Sequence, residues 1–236
     1  KYMQKAGFSF ENDEKNLSLA LGGMKYGLNL KSIADLYSVF SKGGVYSSSA
    51  FIKEITTKDG KIIYKHFPST SRVYSEGTSS LMNEMLIETS KSGTAKKLRN
   101  FNFDVASKTG TCGTAEGNTD AYSINYTSEH CIGIWLGDKN NNRLNITGGG
   151  SCTGYAKEIL SKLYISRTPA ALDTTSGTEQ IIIDAEEYEK NNRIIIADPL
   201  SPKLNNKTIK VLKNNSPKEI SSRFSYPKIE KPVLSV

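Results

Sequence analysis

Three strand-like runs that follow one another along the sequence constrain the fold of this chain more than any other feature. They cover residues 103–108, 120–126 and 131–137. We expect these runs to pair as antiparallel neighbours in one sheet. The last run, CIGIWLG, is apolar on both faces, and this pattern predicts a central strand that is covered on two sides.

Amphipathic helices are predicted before and after these strands. Apolar residues recur at helical spacing in three segments, and Gly43 and Gly44 mark the end of the first one. The three predicted helices cover residues 29–42, 81–92 and 156–164. Asp59 and Gly60 join two strand-like runs within residues 51–65 and predict a hairpin. The predicted fold class is therefore α/β of the α+β kind, an antiparallel sheet flanked by helices.

The composition of the sequence changes after Thr168. The segment beyond this residue holds six of the seven prolines and two short β-rich runs, QIIID and RIIIA. From Pro199 onward the sequence is basic and interrupted by prolines, and we interpret it as an extended edge and linker. The sequence therefore predicts two domains, residues 1–168 and a small β-rich, proline-containing extension at 169–236.

The formal net charge of +7 suits an anionic partner, but the lysines are scattered and no run of Lys or Arg exceeds two residues. No nucleic-acid-binding motif accompanies the charge, so nucleic acid is a weak candidate. No apolar stretch approaches the roughly 18 residues of a membrane span, and no membrane contact is expected from this segment. The two histidines, His66 and His130, are far apart in sequence, so neither a metal site, a cofactor site nor a Ser-His-Asp triad is predicted.

The stretch VASKTGTCGTAEGNTDAY places a lysine, threonines and glycines at the end of the first predicted strand. A Lys-Thr-Gly tripeptide alone is a weak signal, because it also fits a strand end with a capping threonine. Here Lys108, Thr109 and Gly110 are extended by Thr111, and the strands DAYSINYT and HCIGIWLGD follow. In this context the chain resembles the transpeptidase domain of penicillin-binding proteins, a family that shares its Lys-Thr-Gly motif with class A β-lactamases.

The resemblance covers most of residues 1–165. The LALGG segment before the first predicted helix and the stretch KSGTAKKL are both similar to segments of the family. The LALGG form is most similar to the bifunctional class A proteins, which carry a glycosyltransferase domain upstream. The resemblance implies a β-lactamase/transpeptidase-like fold. Since the sequence begins at Lys1 and not at a methionine, we expect only the C-terminal part of that fold here.

The resemblance also implies roles for the residues of the motif. Lys108 would supply positive potential and help proton movement, and the backbone N–H of Thr111 would form half of an oxyanion hole, so both are candidate catalytic residues. Thr109, Gly110 and Thr111 are candidate substrate-binding residues. The two hydroxyls would hold the carboxylate of a peptide ending in D-Ala-D-Ala or of a β-lactam. A side chain at Gly110 would block the approach to the strand.

The nucleophile that the family requires is not found in this chain. Its S-x-x-K motif is matched by Ser225 to Lys228, where Pro227 argues against a helix. Its S-x-N motif is matched in letters by SIN at 123–125, within the second predicted strand, and we interpret this match as coincidental. In the family both motifs precede the segment where this chain begins, so we expect the nucleophile upstream of Lys1.

Smaller departures from the family pattern lie in the second predicted strand. The family has Trp-Phe after Asp-Ala and a glycine two residues later, whereas this chain has Tyr122, Ser123 and Asn125. We expect these residues to alter the packing beneath the site. Trp135, in the third predicted strand, is interpreted as a core residue and not as a platform for a ligand.

The three cysteines are too few for a disulfide scaffold. If the three strands are antiparallel neighbours, the end of the first strand and the helix that begins near Thr153 meet at one edge, which would bring Cys112 near Cys152. An oxidising compartment would favour a disulfide between them, and the alternative is three reduced cysteines. Cys131 is expected to be a free buried thiol.

Three functions remain open at this point. The first is the C-terminal part of an extracytoplasmic D,D-transpeptidase, anchored through an upstream segment, that cross-links peptidoglycan through an acyl-serine intermediate. The second is a non-catalytic peptidoglycan-binding or scaffolding module with a transpeptidase-like cleft. The third and weakest is a serine β-lactamase. The implied partners are peptidoglycan stem peptides, β-lactams and the upstream part of the same protein.

Overall fold

The computed structural model describes residues 2–25 and 27–224. The chain divides into two compact units, Lys1–Ser176 and Gly177–Val236. The sequence places the domain boundary earlier, after Thr168. Leu172 is buried in an apolar cluster with Leu86, so residues just beyond Thr168 pack within the first unit.

The first unit combines short helices with short antiparallel strands. Its α-helices are α1 (Tyr2–Lys5), α2 (Leu30–Ser41), α3 (Glu76–Lys91) and α4 (Thr153–Leu163). Its strands are β1 (Val45–Ser47), β2 (Glu54–Thr56), β3 (Ile62–Lys65), β4 (Thr70–Arg72), β5 (Ala106–Thr114), β6 (Gly117–Tyr126) and β7 (Cys131–Gly137). A π-helical segment, Gly148–Cys152, leads directly into α4. The three helices predicted from apolar spacing are confirmed, and Asn29 caps α2 by accepting a hydrogen bond from the Ser32 N–H.

The central sheet of the first unit is antiparallel, with the strand order β5-β6-β7. The predicted pairing is confirmed, but the bounds differ: β5 begins at Ala106 and not at residue 103, β5 extends beyond residue 108 to Thr114, and β6 begins at Gly117 and not at residue 120. The connection between them is a tight turn at residues 115–116, which ends at Gly117, the first residue of β6, whose φ of 145° suits glycine. β1 pairs with β4, and β2 pairs with β3 in the hairpin predicted at Asp59 and Gly60.

The prediction that CIGIWLG is the central strand is wrong for the residues that the structure describes. β6 is central and β7 lies at an edge of the sheet. β7 is apolar at successive positions because both of its faces are covered. On one face Gly133 approaches Leu30 of α2, and on the other Ile132 packs against the cluster that contains Leu160 of α4. Apolarity on both faces therefore reports the layers above and below a strand, and not its neighbours within the sheet.

Two apolar clusters hold the helices against the sheet. In the first, Leu86 and Ile87 of α3 pack against Ala106 and Tyr126 of the sheet. The buried side chains of the second, which includes α4, are Ala95, Leu98, Val105, Leu160 and Tyr164. Both clusters enclose the start of β5. Beyond Ser107 the residues of β5 are partly or fully exposed, so the strand leaves the core where the lysine motif begins.

The second unit, described as far as Phe224, contains β8 (Thr178–Asp184), α5 (Ala185–Asn191) and β9 (Asn206–Leu212). β8 and β9 pair antiparallel along their whole length. The interpretation of the segment from Pro199 onward as a linker is therefore wrong for β9. Thr, Ile and Val in this strand favour β structure, and the prolines lie outside it.

The run RIIIA does not form a strand of its own. Within it, Ile196 makes isolated bridges with Ile183 of β8 and with Ile220. The predicted β character of QIIID is confirmed, since this run lies in β8.

A buried carboxylate, Asp184, ties several segments of the second unit together. Its exposed fraction is 1%. It caps α5 by accepting hydrogen bonds from the N–H groups of Glu186 and Glu187. It also accepts from Ser221 Oγ at 2.7 Å and from the Arg223 guanidinium at 2.8 Å. Burial alone would raise the pKa of the Asp184 carboxyl, but these hydrogen bonds and the charge of Arg223 hold it below its usual value.

We expect the second unit to lose stability as the pH falls. A carboxyl whose pKa is lowered by folding contributes stability that is present above its unfolded pKa of about 3.9 and is lost as the pH falls through the folded value. Protection of the β8 amides from hydrogen exchange should therefore decrease below about pH 4. Asp184→Asn should weaken this protection already at neutral pH. Glu189→Gln, which changes an exposed carboxylate of α5, is the control, and equal behaviour of the two variants would contradict the assignment.

All three cysteines are free thiols, so the disulfide considered between Cys112 and Cys152 is not formed. Cys112 is exposed on β5, whereas Cys152 is fully buried at the start of α4. Cys131 is partly buried, and its Sγ donates to the carbonyl oxygen of Ala34 at 3.4 Å. Burial and, to a smaller extent, the charge of Asp35 raise the pKa of the Cys131 thiol to about 12.

We expect a thiol reagent to modify Cys112 at least about 100-fold faster than Cys131 or Cys152. The reactive form of cysteine is the thiolate, and burial both disfavours the thiolate and keeps the reagent away from it. The rates are measured by peptide mass spectrometry on the native chain. Cys112→Ser should remove the fast phase, and Cys131→Ser should leave it unchanged. In denaturant the three should react at similar rates. Fast modification of Cys152 in the native chain would show that the start of α4 is not packed as described.

Candidate active site

Residues 108–111 lie at the outer edge of the central sheet. β5 is an end strand, and in the described part of the chain it pairs only with β6. The carbonyl oxygen of Ser107 accepts a hydrogen bond from the hydroxyl of Thr89 in α3, and therefore points away from β6. Backbone groups of alternate residues in a strand point to the same edge, so Thr109 and Thr111 present their N–H and C=O groups at this free edge.

Lys108 is the cation of this edge. Its side chain is exposed, and its Nζ donates to the carbonyl oxygen of Thr109 at 2.7 Å. Among the residues that the structure describes, no carboxylate forms an ion pair with Lys108. Its positive charge is therefore available to an anionic group that approaches the edge.

The hydroxyls of Thr109 and Thr111 each have a partner from a distant segment. Thr109 Oγ1 lies 2.7 Å from Thr94 Oγ1, which belongs to the KSGTAKKL stretch after α3. Thr111 Oγ1 accepts a hydrogen bond from the Gly148 N–H at 3.1 Å. The structure thus brings the lysine motif together with two segments that are remote from it in sequence.

Gly148 lies directly against the backbone of the motif. A Cβ atom at this position would be 2.4 Å from the carbonyl oxygen of Tyr122 and 2.5 Å from that of Gly110. Both distances are well below van der Waals contact, and the atoms met belong to paired strands that cannot easily move. The close approach of the π-helical segment to β5 and β6 therefore requires glycine here.

We expect Gly148→Ala to lower the free energy of unfolding of the first unit by about 2 to 3 kcal/mol, because the added methyl group must displace strand backbone. Urea unfolding followed through Trp135, the single tryptophan of the chain, measures this change. Gly154→Ala in α4 is the matched control. A Cβ there would meet only Lys97 Nζ at 3.8 Å, so this variant should be as stable as the parent or more so. Equal stabilities would contradict the close contact.

Gly110, in contrast, is not required by the packing. A Cβ atom there would meet only Tyr122 Cβ at 3.6 Å, which is an ordinary contact. The backbone of Gly110 is not in the left-handed region either. A glycine that the fold does not demand, beside an exposed cation at a free strand edge, suits the close approach of another molecule. The role predicted for Gly110 remains a prediction, and this geometry allows it.

The match to S-x-N lies inside the sheet. Ser123 and Asn125 both have an exposed fraction of 0%. Asn125 Oδ1 accepts a hydrogen bond from Ser107 Oγ at 2.8 Å, and Asn125 Nδ2 donates to Ser123 Oγ at 2.9 Å. These side chains are not accessible to a substrate, which supports the interpretation of the match as coincidental. Ser225 and Lys228, the match to S-x-x-K, lie outside the described residues.

The prediction that Trp135 is a core residue is wrong. Its exposed fraction is 44%, and its Nε1 donates to Asp120 Oδ1 at 2.8 Å. Its ring lies beside that of Tyr122, with the centroids 6.5 Å apart. Trp135 stands near the end of β7. Tyr122 pairs with both Trp135 and Gly110, so a row of three residues crosses the sheet next to Lys108.

Within the described ranges, no group of three or more His, Cys, Asp or Glu side chains is arranged to hold a metal ion. In the same ranges, no helix is long and apolar enough to cross a bilayer.

Comparison with known proteins identifies the family. The model of the penicillin-binding protein transpeptidase domain matches residues 3–146, which is more than half of the chain. The chain belongs to this family. The matched segment contains Thr94 and the whole lysine motif, and it ends shortly before Gly148.

Curated relatives of this chain are penicillin-binding proteins. Penicillin-binding protein 1F of Bacillus subtilis is 32% identical over 154 residues, which cover 63% of this chain and 21% of the relative. Penicillin-binding protein 1A of Clostridium acetobutylicum is 27% identical over 183 residues, which cover 76% of this chain and 22% of the relative. The chain therefore spans about a fifth of the length of these relatives.

Solved structures of penicillin-binding proteins share the fold. Penicillin-binding protein 1A from Haemophilus influenzae superposes with a TM-score of 0.68 at 16% identity, over 92% of this chain and 36% of that chain. The PonA1 protein from Mycobacterium tuberculosis, in complex with penicillin V, superposes with a TM-score of 0.60 at 19% identity, over 72% of this chain and 50% of that chain. The transpeptidase-like fold implied by the resemblance is confirmed.

Several residues of the candidate transpeptidase site were not assigned to it from the sequence. Thr94 lies in the KSGTAKKL stretch, which the sequence connects with the family but not with the lysine motif. Gly148 lies in a run of three glycines after Thr147, and this run is a visible signal for close backbone approach. The buried contacts of Ser107 and Asn125 carry no such signal, because Ser and Asn are common at exposed positions.

Proposed function

We propose that this chain is the C-terminal part of a serine D,D-transpeptidase that cross-links peptidoglycan stem peptides, with the nucleophilic serine on a segment of the complete protein outside residues 1–236. The observation that carries the proposal is the free edge of β5, where an exposed lysine, two hydroxyls and backbone groups that pair with no other described strand converge. Membership of the penicillin-binding transpeptidase family supports it.

The edge suits recognition of the substrate as an added strand. A stem peptide laid along β5 can pair with the backbone groups of Thr109 and Thr111, as extended peptides do at sheet edges. Its terminal carboxylate then lies near the Lys108 ammonium and the threonine hydroxyls, which stabilise it by charge-assisted hydrogen bonds. Gly110 leaves room for this approach.

The same edge serves the chemical steps. The serine oxygen attacks the carbonyl carbon of the penultimate D-Ala, and the developing oxyanion accepts a hydrogen bond from the Thr111 N–H. The C–N bond to the terminal D-Ala breaks, its nitrogen takes up a proton, and the peptide remains as a serine ester. The amino group of a second stem peptide attacks this ester and releases the serine. Lys108 lowers the energy of the negative charge in both steps.

We also propose that the complete protein acts in the extracytoplasmic cell envelope, anchored through an upstream segment, since peptidoglycan stem peptides are its substrates. β-Lactams are the expected inhibitors, because they present a carboxylate and a reactive carbonyl to the same groups. The penicillin V complex of a protein with this fold supports this expectation.

The test uses the complete protein with a synthetic stem peptide ending in D-Ala-D-Ala and an acceptor stem peptide. We expect release of D-Ala together with a cross-linked dimer, both measured by mass spectrometry. A scaffolding module would bind the peptide and release no D-Ala. A β-lactamase would hydrolyse penicillin with rapid turnover and form no dimer. Either of these two results would overturn the proposal.

A further inference from the structure

We propose that Asn125, with Ser107 and Ser123, forms a buried polar network that positions the lysine motif on β5. The three are positioning residues, since none of them is accessible to a substrate. The inference rests on the proposed function, because the motif that they position is the one assigned to substrate binding and oxyanion stabilisation.

The network is a continuous chain of hydrogen bonds across two strands. Ser107 Oγ donates to Asn125 Oδ1 at 2.8 Å, and Asn125 Nδ2 donates to Ser123 Oγ at 2.9 Å. All three residues have an exposed fraction of 0%. Within the described ranges, none of their side-chain polar atoms is left without a partner. A network in which each buried polar atom has a partner favours one geometry, because a shift that breaks a hydrogen bond leaves a buried polar group unpaired.

The network fixes the register of β5 against β6. Ser107 pairs with Asn125, and the next residue on the same face, Thr109, pairs with Ser123. A slip by one residue would turn Ser107 to the opposite face and break its hydrogen bond to Asn125, the one that joins β5 to β6. The register decides which residues present their backbone groups at the free edge. These are Thr109 and Thr111 in the observed register, and Lys108 and Gly110 after a slip by one residue. The network therefore selects the arrangement that the site needs.

A register lock is needed here because the same pair of strands is irregular nearby. The register shifts between Cys112 and Gly113, so β5 accommodates a change of pairing just beyond the motif. On the other side of the strand, Ser107 is also held by the hydrogen bond from Thr89 of α3 to its carbonyl oxygen. The residue that precedes Lys108 is thus fixed from β6 through its side chain and from α3 through its backbone.

The network coincides with the departures from the family pattern. Ser123 and Asn125 are two of the residues at which this sequence departs from the pattern that the resemblance implies. In this chain both residues contribute side chains to the network.

The decisive variant removes the hydrogen bonds while it preserves volume. In the complete protein, Ser107→Ala, Ser123→Ala and Asn125→Leu are combined, since replacing all partners by apolar groups of similar shape is nearly neutral for stability. Ser107→Ala alone is a second variant, in case the combination does not fold. Ser80→Ala is the matched control, because Ser80 is buried and its hydroxyl has no hydrogen-bond partner in the described residues.

We expect the triple variant to keep its melting temperature within a few degrees but to be acylated by penicillin about 10-fold more slowly. The loss should fall on the acylation rate constant, with the dissociation constant of the non-covalent complex changed by less than about 2-fold. The amides of Lys108 and Gly110, which point toward β6, should exchange hydrogen faster. Ser107→Ala should show the same changes to a smaller extent, and Ser80→Ala should show none.

The inference would be overturned if a folded variant were acylated at the parent rate and if its Lys108 and Gly110 amides exchanged hydrogen at the parent rate. The proposed function would remain intact in that case. If the parent protein itself formed no acyl adduct, the proposed function would fail. In that case exchange alone decides whether the network holds β5, and unchanged protection in the variants would refute this role.

Discussion

Lys108→Ala should slow acylation of the complete protein by penicillin by about 10²- to 10³-fold, the loss expected when one preorganised charged group is removed from such a site. Lys108 is exposed at the edge of β5 and forms no ion pair with the described residues, so nothing else in this part of the chain replaces its charge. The second-order rate constant for a fluorescent penicillin measures the effect.

The fold should not change in this variant, because the Lys108 side chain contributes no burial to either apolar cluster. Lys162→Ala, which removes a lysine from the last turn of α4, is the matched control and should be acylated at the parent rate. The salt dependence of acylation should weaken in Lys108→Ala and persist in the control. A loss of less than about 3-fold would show that Lys108 is not part of the site.

Gly110→Val should reduce acylation by about 10²-fold with little change in stability, because a displaced substrate reacts far more slowly. The packing has room for a Cβ at this position, and valine is favoured in strands. The loss of activity would then come from a blocked approach to the free edge. Acylation kinetics and a thermal melt of the same preparation separate the two effects.

Thr114→Val is the control for placing a valine in β5, since it exchanges a hydroxyl for a methyl group at the exposed end of the strand, beyond the irregular pairing. It should leave both acylation and the melting temperature unchanged. Normal acylation of Gly110→Val would mean that no substrate passes close to the strand. A large loss of stability would mean that the position is structural.

Much of the fold could be predicted because its signals are local. The apolar spacing in α2 and α4, and the turn at Asp59 and Gly60, depend on neighbours in sequence, and the structure confirms them. The place of β7 in the sheet depends on which segments meet in three dimensions. The same apolar run fits a central strand or an edge strand between two helical layers, and the sequence does not distinguish them.

Only the part of the site that is continuous in sequence could be predicted. Residues 108–111 form one short motif, and the structure places them together at a free edge. Thr94 and Gly148 reach the motif through tertiary contacts, which no spacing in the sequence reveals. Asn125 departs from the pattern that the resemblance implies, but its hydrogen bond to Ser107 depends on the register of β5 and β6, which only the structure supplies.

The most direct test of the account is intact-mass analysis with peptide mapping after incubation with penicillin. The complete protein and the 236-residue chain are treated in parallel. We expect the complete protein to gain the mass of one penicillin on a serine outside residues 1–236, and the isolated chain to gain none. An adduct on Ser225, or on any other serine within this chain, would contradict the claim that the chain supplies the substrate-binding edge and not the nucleophile.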